Sequence, residues 1–182
     1  MEKRYKLIVA VLFLTAVLFG CSFQSEEEAV NDAEKSAEAV FNSNKTAEAN
    51  HEMDGFSLYL PDRMEVKETG KNNVILKDGD QTYIVFHNSL EGAASQLGYK
   101  TAKTESALLL ESFKDDNKFG YIRIRSHDEE DNYELQVGLG GVKITTYTTK
   151  DQLDNDSKAL MKVARSISTS NPTTVTNIKD EF

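Results

Sequence analysis

Apolar positions change their period several times along the chain, and each change marks an element. Residues 7–19 form a continuous apolar run broken only by Thr15. Residues 22–50 are polar and acidic, with Ala33, Ala37, Val40 and Phe41 at helical spacing behind Glu26-Glu27-Glu28. That spacing predicts a helix over residues 26–42. Its apolar face is mostly alanine and would bury little, so the segment is expected to be a tether with helical tendency. A docking helix for a partner is the alternative.

From Gly55 the period drops to two. Phe56, Leu58 and Leu60 alternate with Ser57 and Tyr59 as far as Pro61-Asp62, the pattern of a half-buried strand, and residues 64–67 continue it. Residues 70–73 read as a polar turn. Two apolar runs, 74–77 and 82–86, flank Asp78-Gly79-Asp80, where Asp-Gly tolerates the positive φ of a hairpin. Their near-continuous hydrophobicity predicts strands covered on both faces. In residues 89–104, Leu90, Ala93, Ala94 and Leu97 fit one face of a helix that Gly98 would end. Residues 106–113, with Leu108-Leu109-Leu110 and Phe113, fit a strand or a buried helix, and strand is the preferred reading.

Turn chemistry and alternation agree best around Gly140-Gly141. A two-residue turn there sets Leu139 opposite Val142, Val137 opposite Ile144, Leu135 opposite Thr146 and Tyr133 opposite Thr148, all on one face. Glu134, Gln136 and Lys143 take the other face. The preceding strand, residues 119–126, would bury Ile122 and Ile124 and turn out Arg123 and Arg125 toward Glu134 and Gln136. The result is a three-stranded antiparallel meander. From Asp151 the period becomes helical again, with Leu153, Leu160, Met161, Ala164 and Ile167 in one stripe to about Ser168. Residues 169–182 lack periodicity and are expected to be loose. The fold class is therefore α+β, an antiparallel β-sheet with a C-terminal amphipathic helix, over residues 55–168.

The first apolar run bears on destination. Its 13 residues follow Lys3, Arg4 and Lys6, and as a helix they would reach only about 20 Å against a hydrocarbon core of about 30 Å. A basic start, a short apolar stretch and a small residue, Gly20, describe a signal peptide rather than a span. Leu18-Phe19-Gly20-Cys21 resembles the lipobox of bacterial lipoproteins, although Phe19 is bulkier than the usual residue at its place. The resemblance implies cleavage after residue 20 and a diacylglyceryl group on Cys21. The protein would then be lipid-anchored on the extracytoplasmic face of the cell membrane. An ordinary signal peptide with an incidental cysteine is the competing reading. Residues 21–54 would join the anchor to the domain. Cys21 is the sole cysteine, so no internal disulfide supports the core.

Charge narrows the partners. Residues 1–20 hold three cations and one acid, so their removal takes the formal charge from −9 to −11. Such a surface repels nucleic acid and anionic headgroups, which excludes neither a protein nor a wall polymer.

The strand ending in a proline (Gly55-Phe56-Ser57-Leu58-Tyr59-Leu60-Pro61), the antiparallel sheet and the closing helix with Ala164-Arg165-Ser166-Ile167 together resemble the PsbP-like family. The tryptophan often found after that proline is missing, and Met64 lies near its place. The resemblance implies an α/β/α sandwich used in binding and assembly, with no catalytic residues to transfer.

Other chemistry is sparse. His51, His87 and His127 lie far apart, without metal-ligand spacing, and suit solvated loops. The acidic loop with Asp128, Glu129 and Asp131 offers oxygens to a divalent cation but lacks the required loop geometry. Asp115-Asp116-Asn117-Lys118-Phe119-Gly120 imitates an EF-hand opening and fails at Phe119 and at its twelfth residue, Ser126. Gly138 to Gly141 joins two strands, so no helix N-terminus follows to hold a phosphate. No nucleophile motif occurs. The expected function is thus non-enzymatic and without a cofactor: binding or assembly with an envelope protein or cell-wall component, through the sheet face or the strip Tyr121, Arg123, Arg125. Two alternatives are an enzyme or enzyme accessory acting on wall polymer, and a divalent-cation-responsive envelope protein using the acidic loop. Replacing Cys21 by Ala should move the protein out of the membrane fraction and abolish metabolic labelling with an alkyne fatty acid; undiminished labelling would place the lipid elsewhere.

Overall fold

A computed structural model describes residues 24–103, 106–127 and 131–169. Residues 1–23, Cys21 among them, residues 104–105, Asp128, Glu129, Glu130 and the segment beyond residue 169 lie outside the described residues. The fold is α+β, with helix α1 (Glu26–Phe41) ahead of a two-stranded sheet of β1 (His51–Met53) and β2 (Phe56–Leu58). A seven-stranded antiparallel sheet follows: β3 (Glu65–Thr69), β4 (Asn73–Asp78), β5 (Gln81–His87), β6 (Leu109–Lys114), β7 (Phe119–Ser126), β8 (Asn132–Leu139) and β9 (Val142–Thr149). Its spatial order is β3-β4-β5-β9-β8-β7-β6. A short helix, α2 (Leu97–Ala102), lies between β5 and β6, and α3 (Leu153–Thr169) closes the chain.

The expected tether is instead a layer of the fold. Ser25 and Glu28 form a capping box: the Glu28 amide donates to Ser25 Oγ at 3.2 Å and the Ser25 amide donates to Glu28 Oε2 at 3.0 Å. Three glutamates in the first turn also complement the helix dipole. Ala29, Val30, Ala33, Ala37 and Phe41 are buried, because small side chains let α1 lie close against α3 and Phe41 fills the space over Gly120 of β7. Phe41 also meets Phe113 of edge strand β6, with ring centroids 5.7 Å apart. The thin alanine face is therefore a close-packing face.

The α1–α3 pair is also tied by polar contacts. Ser36 Oγ donates to the Asp154 carboxylate, and Tyr133 of β8 donates to Glu26 at 3.0 Å. Arg165 closes the C-terminal end of α1, donating to the carbonyls of Val40, Ser43 and Lys45 and to Thr46 Oγ1. Val40 lies in the last turn of α1, and a cation there suits the helix dipole. Next to it, Ser166 Oγ accepts from the Tyr59 amide at 2.8 Å and donates to the Val163 carbonyl at 2.7 Å, fixing the chain after β2 to α3.

The meander has the expected register, with Leu139 facing Val142, Val137 facing Ile144, Leu135 facing Thr146 and Tyr133 facing Thr148. Arg123 faces Gln136 and Arg125 faces Glu134. The β4–β5 hairpin turns through Gly79-Asp80, with Gly79 at φ +57°. Two expectations fail nearby. Strand β5 is covered on one face only: Tyr83 and Val85 are buried, whereas Ile84 and Phe86 are 50% and 39% exposed. The helix expected over residues 89–104 is confined to α2, and Gly98 lies inside it. Side chains compete with helix in the lost part: Asn88 Oδ1 accepts from the Leu90 amide and Asn88 Nδ2 donates to Glu91, which also accepts from Ser95 Oγ. Strand β1 has no counterpart in the expected pattern.

One carboxylate joins sheet and helix. Asp156, in the first turn of α3, is fully buried. It accepts from Arg63 at 2.8 Å, Gln81 at 2.8 Å, Tyr83 at 3.1 Å and Thr148 at 2.6 Å. Arg63 also pairs with Asp78. Burial, followed by the charge of Asp156, raises the Tyr83 phenol well above its ordinary range, so it remains a donor. Asp156→Ala should lower unfolding free energy by about 3–5 kcal/mol, because Arg63 and three neutral donors lose their shared acceptor. Urea denaturation checks this, with exposed Asp151→Ala as a control expected within about 0.5 kcal/mol of wild type.

Candidate ligand cleft on the open sheet face

The face of the sheet away from α1 and α3 is read from the register as cross-strand rows. One row runs Asn73, Phe86, Lys143, Gly138, Tyr121. The next runs Ile75, Ile84, Thr145, Gln136, Arg123, Leu110. In a third, Tyr147 faces Glu134 and Glu134 faces Arg125. Helices lie on both faces of the sheet, but unequally: α2 covers only the part near β7. There Gly98 packs on Tyr121, and Tyr99 meets Tyr121 and Phe119 with centroids 6.0 and 5.4 Å apart. Toward β5 and β9 the face is open, and Ile84, Phe86 and Tyr147 are exposed.

Between these two regions lies a cleft of about 510 Å³. Its floor includes Arg123, Arg125, Glu134 and Gln136, its apolar wall Phe86 and Leu97, and Glu91 and Lys143 also line it. Glu134 organises the floor, accepting from Arg123 at 2.5 Å with Oε1 and from Arg125 at 3.0 Å with Oε2. The side chains of Arg123 and Glu134 are only 5% and 12% exposed, so these planar groups are held before any ligand arrives. Glu91 is likewise fixed, accepting from Asn88 at 2.7 Å and from Ser95 at 2.6 Å.

Glycines shape this region. At Gly138 a Cβ would fall 2.0 Å from the Tyr121 ring, so only glycine admits that ring across β8. At the β8–β9 turn, Gly140 has φ +55° and its Cα approaches the backbone of Gly92 and Ala93 so closely that a Cβ would sit 2.6 Å from both. The loop after β5 can thereby settle on the hairpin, where the Asn88 amide donates to the Gly141 carbonyl at 2.9 Å.

The strip Tyr121, Arg123, Arg125 does share one face, but it is not an exposed surface. Tyr121 and Arg123 are buried, and Arg125 is half-buried. Parity placed them on the face away from α1 and α3, and α2 with its flanking loop then covers part of it. Burial pushes the Tyr121 phenol up to about 12, with Arg123 opposing and Glu91 adding to the rise. Its hydroxyl has no hydrogen-bond partner among the described residues. Nothing in the sequence marks Glu91, Phe86 and Leu97 as site residues; Gly98 and Gly138, glycines inside regular elements, are the available signal of close approach.

Of the acidic loop, only Asp131 is described, and it pairs with Lys150 at 3.4 Å. Among the described residues no group of three His, Cys, Asp or Glu side chains could hold a metal ion. Asp115 is occupied by its own turn, accepting from Lys118 Nζ and from the amides of Asn117 and Lys118, which lowers its carboxyl to about 2. His87 packs on Phe56, His127 on Tyr147 and burial lowers the former's pKa. No helix among the described residues is long and apolar enough to cross a membrane. No protein-family model matches the chain, and comparison with curated proteins finds no similar sequence. Glu134→Ala should cost about 2–4 kcal/mol of stability by withdrawing the carboxylate shared by the buried Arg123 and the half-buried Arg125. Thermal or urea unfolding measures it, and a loss below the error of the method would show the pair to be dispensable.

Proposed function

We propose that this protein is a lipid-anchored binding module of the extracytoplasmic membrane face, whose ligand seat is the cleft on the open sheet. The cleft itself carries the reading: preset polar groups converge beside an exposed apolar wall, in a volume of about 510 Å³, the usual make-up of a ligand pocket. The leader and Cys21 supply the address through their lipobox resemblance, and the net acidity disfavours nucleic acid. Binding partners in this setting are an envelope protein or a cell-wall component.

A second reading, action on wall polymer, is favoured by one observation: two carboxylates, Glu91 and Glu134, line the same cleft. Both oxygens of Glu134 accept from guanidiniums, and both oxygens of Glu91 accept from Asn88 and Ser95. Such carboxylates are better suited to holding positions than to giving a proton to a leaving group. Crosslinking in intact cells, with capture from wild type, Cys21→Ala and Phe86→Ala strains, separates the readings. A discrete partner or wall fragment lost in both variants supports an anchored binding module. Release of new reducing ends from purified wall by the protein would instead establish the enzyme.

A further inference from the structure

The cleft imposes two demands on its occupant. The first is electrical. Groups of both signs line it: Arg123, Arg125 and Lys143 with Glu91 and Glu134. The two guanidiniums are already engaged by Glu134, at 2.5 and 3.0 Å. An incoming anion would compete with Glu134 and face Glu91, with exposed, solvent-screened Lys143 to pair with it, while a cation would face the guanidiniums; either meets like charge in the partly desolvated floor. A neutral molecule dense in groups that both donate and accept meets no such repulsion, and hydroxyls are groups of that kind. Gln136, Thr101 and Thr145 add an amide and two hydroxyls to the lining.

The second demand is apolar. Phe86 and Leu97, 39% and 57% exposed, present a nonpolar wall beside these polar groups. A pyranose has matching sides, with hydroxyls around its rim and a C–H face that packs on an aromatic ring. The planar Arg and Glu groups suit neighbouring hydroxyls, and salt bridging fixes them in advance.

We infer that the cleft is a saccharide site, taking an uncharged sugar unit of an oligosaccharide with its C–H face on Phe86 and its hydroxyls toward Arg125, Glu134, Gln136 and Thr145. This deepens the binding-module reading above and rests on it.

The test is an amide-resolved NMR titration of the full-length protein in micelles of a detergent without a sugar headgroup. The probes are the N-acetylglucosamine trimer and cellotriose, then citrate, phosphate and a short acidic peptide as competitors in kind. Millimolar trimer should shift the amides of Phe86, Gln136 and Thr145 selectively. Phe86→Ala, at an exposed position, should weaken that binding about tenfold, whereas Lys143→Ala should leave it within about twofold. No cleft shift with either trimer overturns the saccharide assignment. Shifts produced by citrate, phosphate or the peptide alone also overturn it, yet leave a ligand-binding cleft. If no probe moves the cleft and Phe86→Ala leaves capture in cells unchanged, the saccharide inference and the binding-module reading fall together.

Discussion

The arrangement of the whole domain depends on one buried carboxylate. Hydrophobic contact between α3 and the sheet is strong but non-directional, and alone it would tolerate sliding of one layer over the other. Asp156 supplies the direction. Its four donors come from the loop after β2, from two positions on β5 and from β9. A carboxylate without water must have its acceptors filled, so only the position that satisfies all four is acceptable. Gln81 extends the constraint by donating also to Thr146 Oγ1 and the Tyr147 carbonyl. The open face is thus positioned indirectly, since fixing α3 on one side of β5 and β9 fixes which residues those strands present on the other.

Strand pairing was the most legible part of the sequence. The β8–β9 register follows from two constraints that agree, a glycine pair permitting a tight turn and alternation on either side of it. Helix α3 was equally plain because Leu160, Met161, Ala164 and Ile167 form a broad stripe. The spacing predicts helix α1 but not its role. Each of its alanines buries little surface, and their value lies in how near they let α3 approach. Side-chain size alone does not reveal this without knowledge of the facing helix.

The site was legible only in parity. Alternation put Tyr121, Arg123 and Arg125 on the same face, and the structure agrees, but alternation says nothing about what lies above that face. The cover comes from α2 and the loop before it, where Asn88, Glu91 and Ser95 satisfy one another and blur any helical period. The run 82–86 misled in the opposite sense. Its Ile84 and Phe86 look like residues of a doubly covered strand, yet they remain exposed beside the cleft. Exposed apolar side chains such as Ile84, Phe86 and Tyr147 on a face that also carries charged groups are a departure from alternation, and such departures tend to coincide with function.

Helix α1 also alters the mechanics of attachment. A segment of about thirty residues between lipid and domain would let the domain range widely over the membrane. The capping box instead puts a packed helix at Ser25. If Cys21 carries the lipid, residues 22–24 are all that separate them, and four peptide steps span at most about 14 Å. The domain would be held on a leash shorter than its own width, with the acidic first turn of α1 nearest the headgroups. Only partners or polymers lying within that leash plus the breadth of the domain from the bilayer could then reach the cleft, so distance from the membrane would select among them before chemistry did.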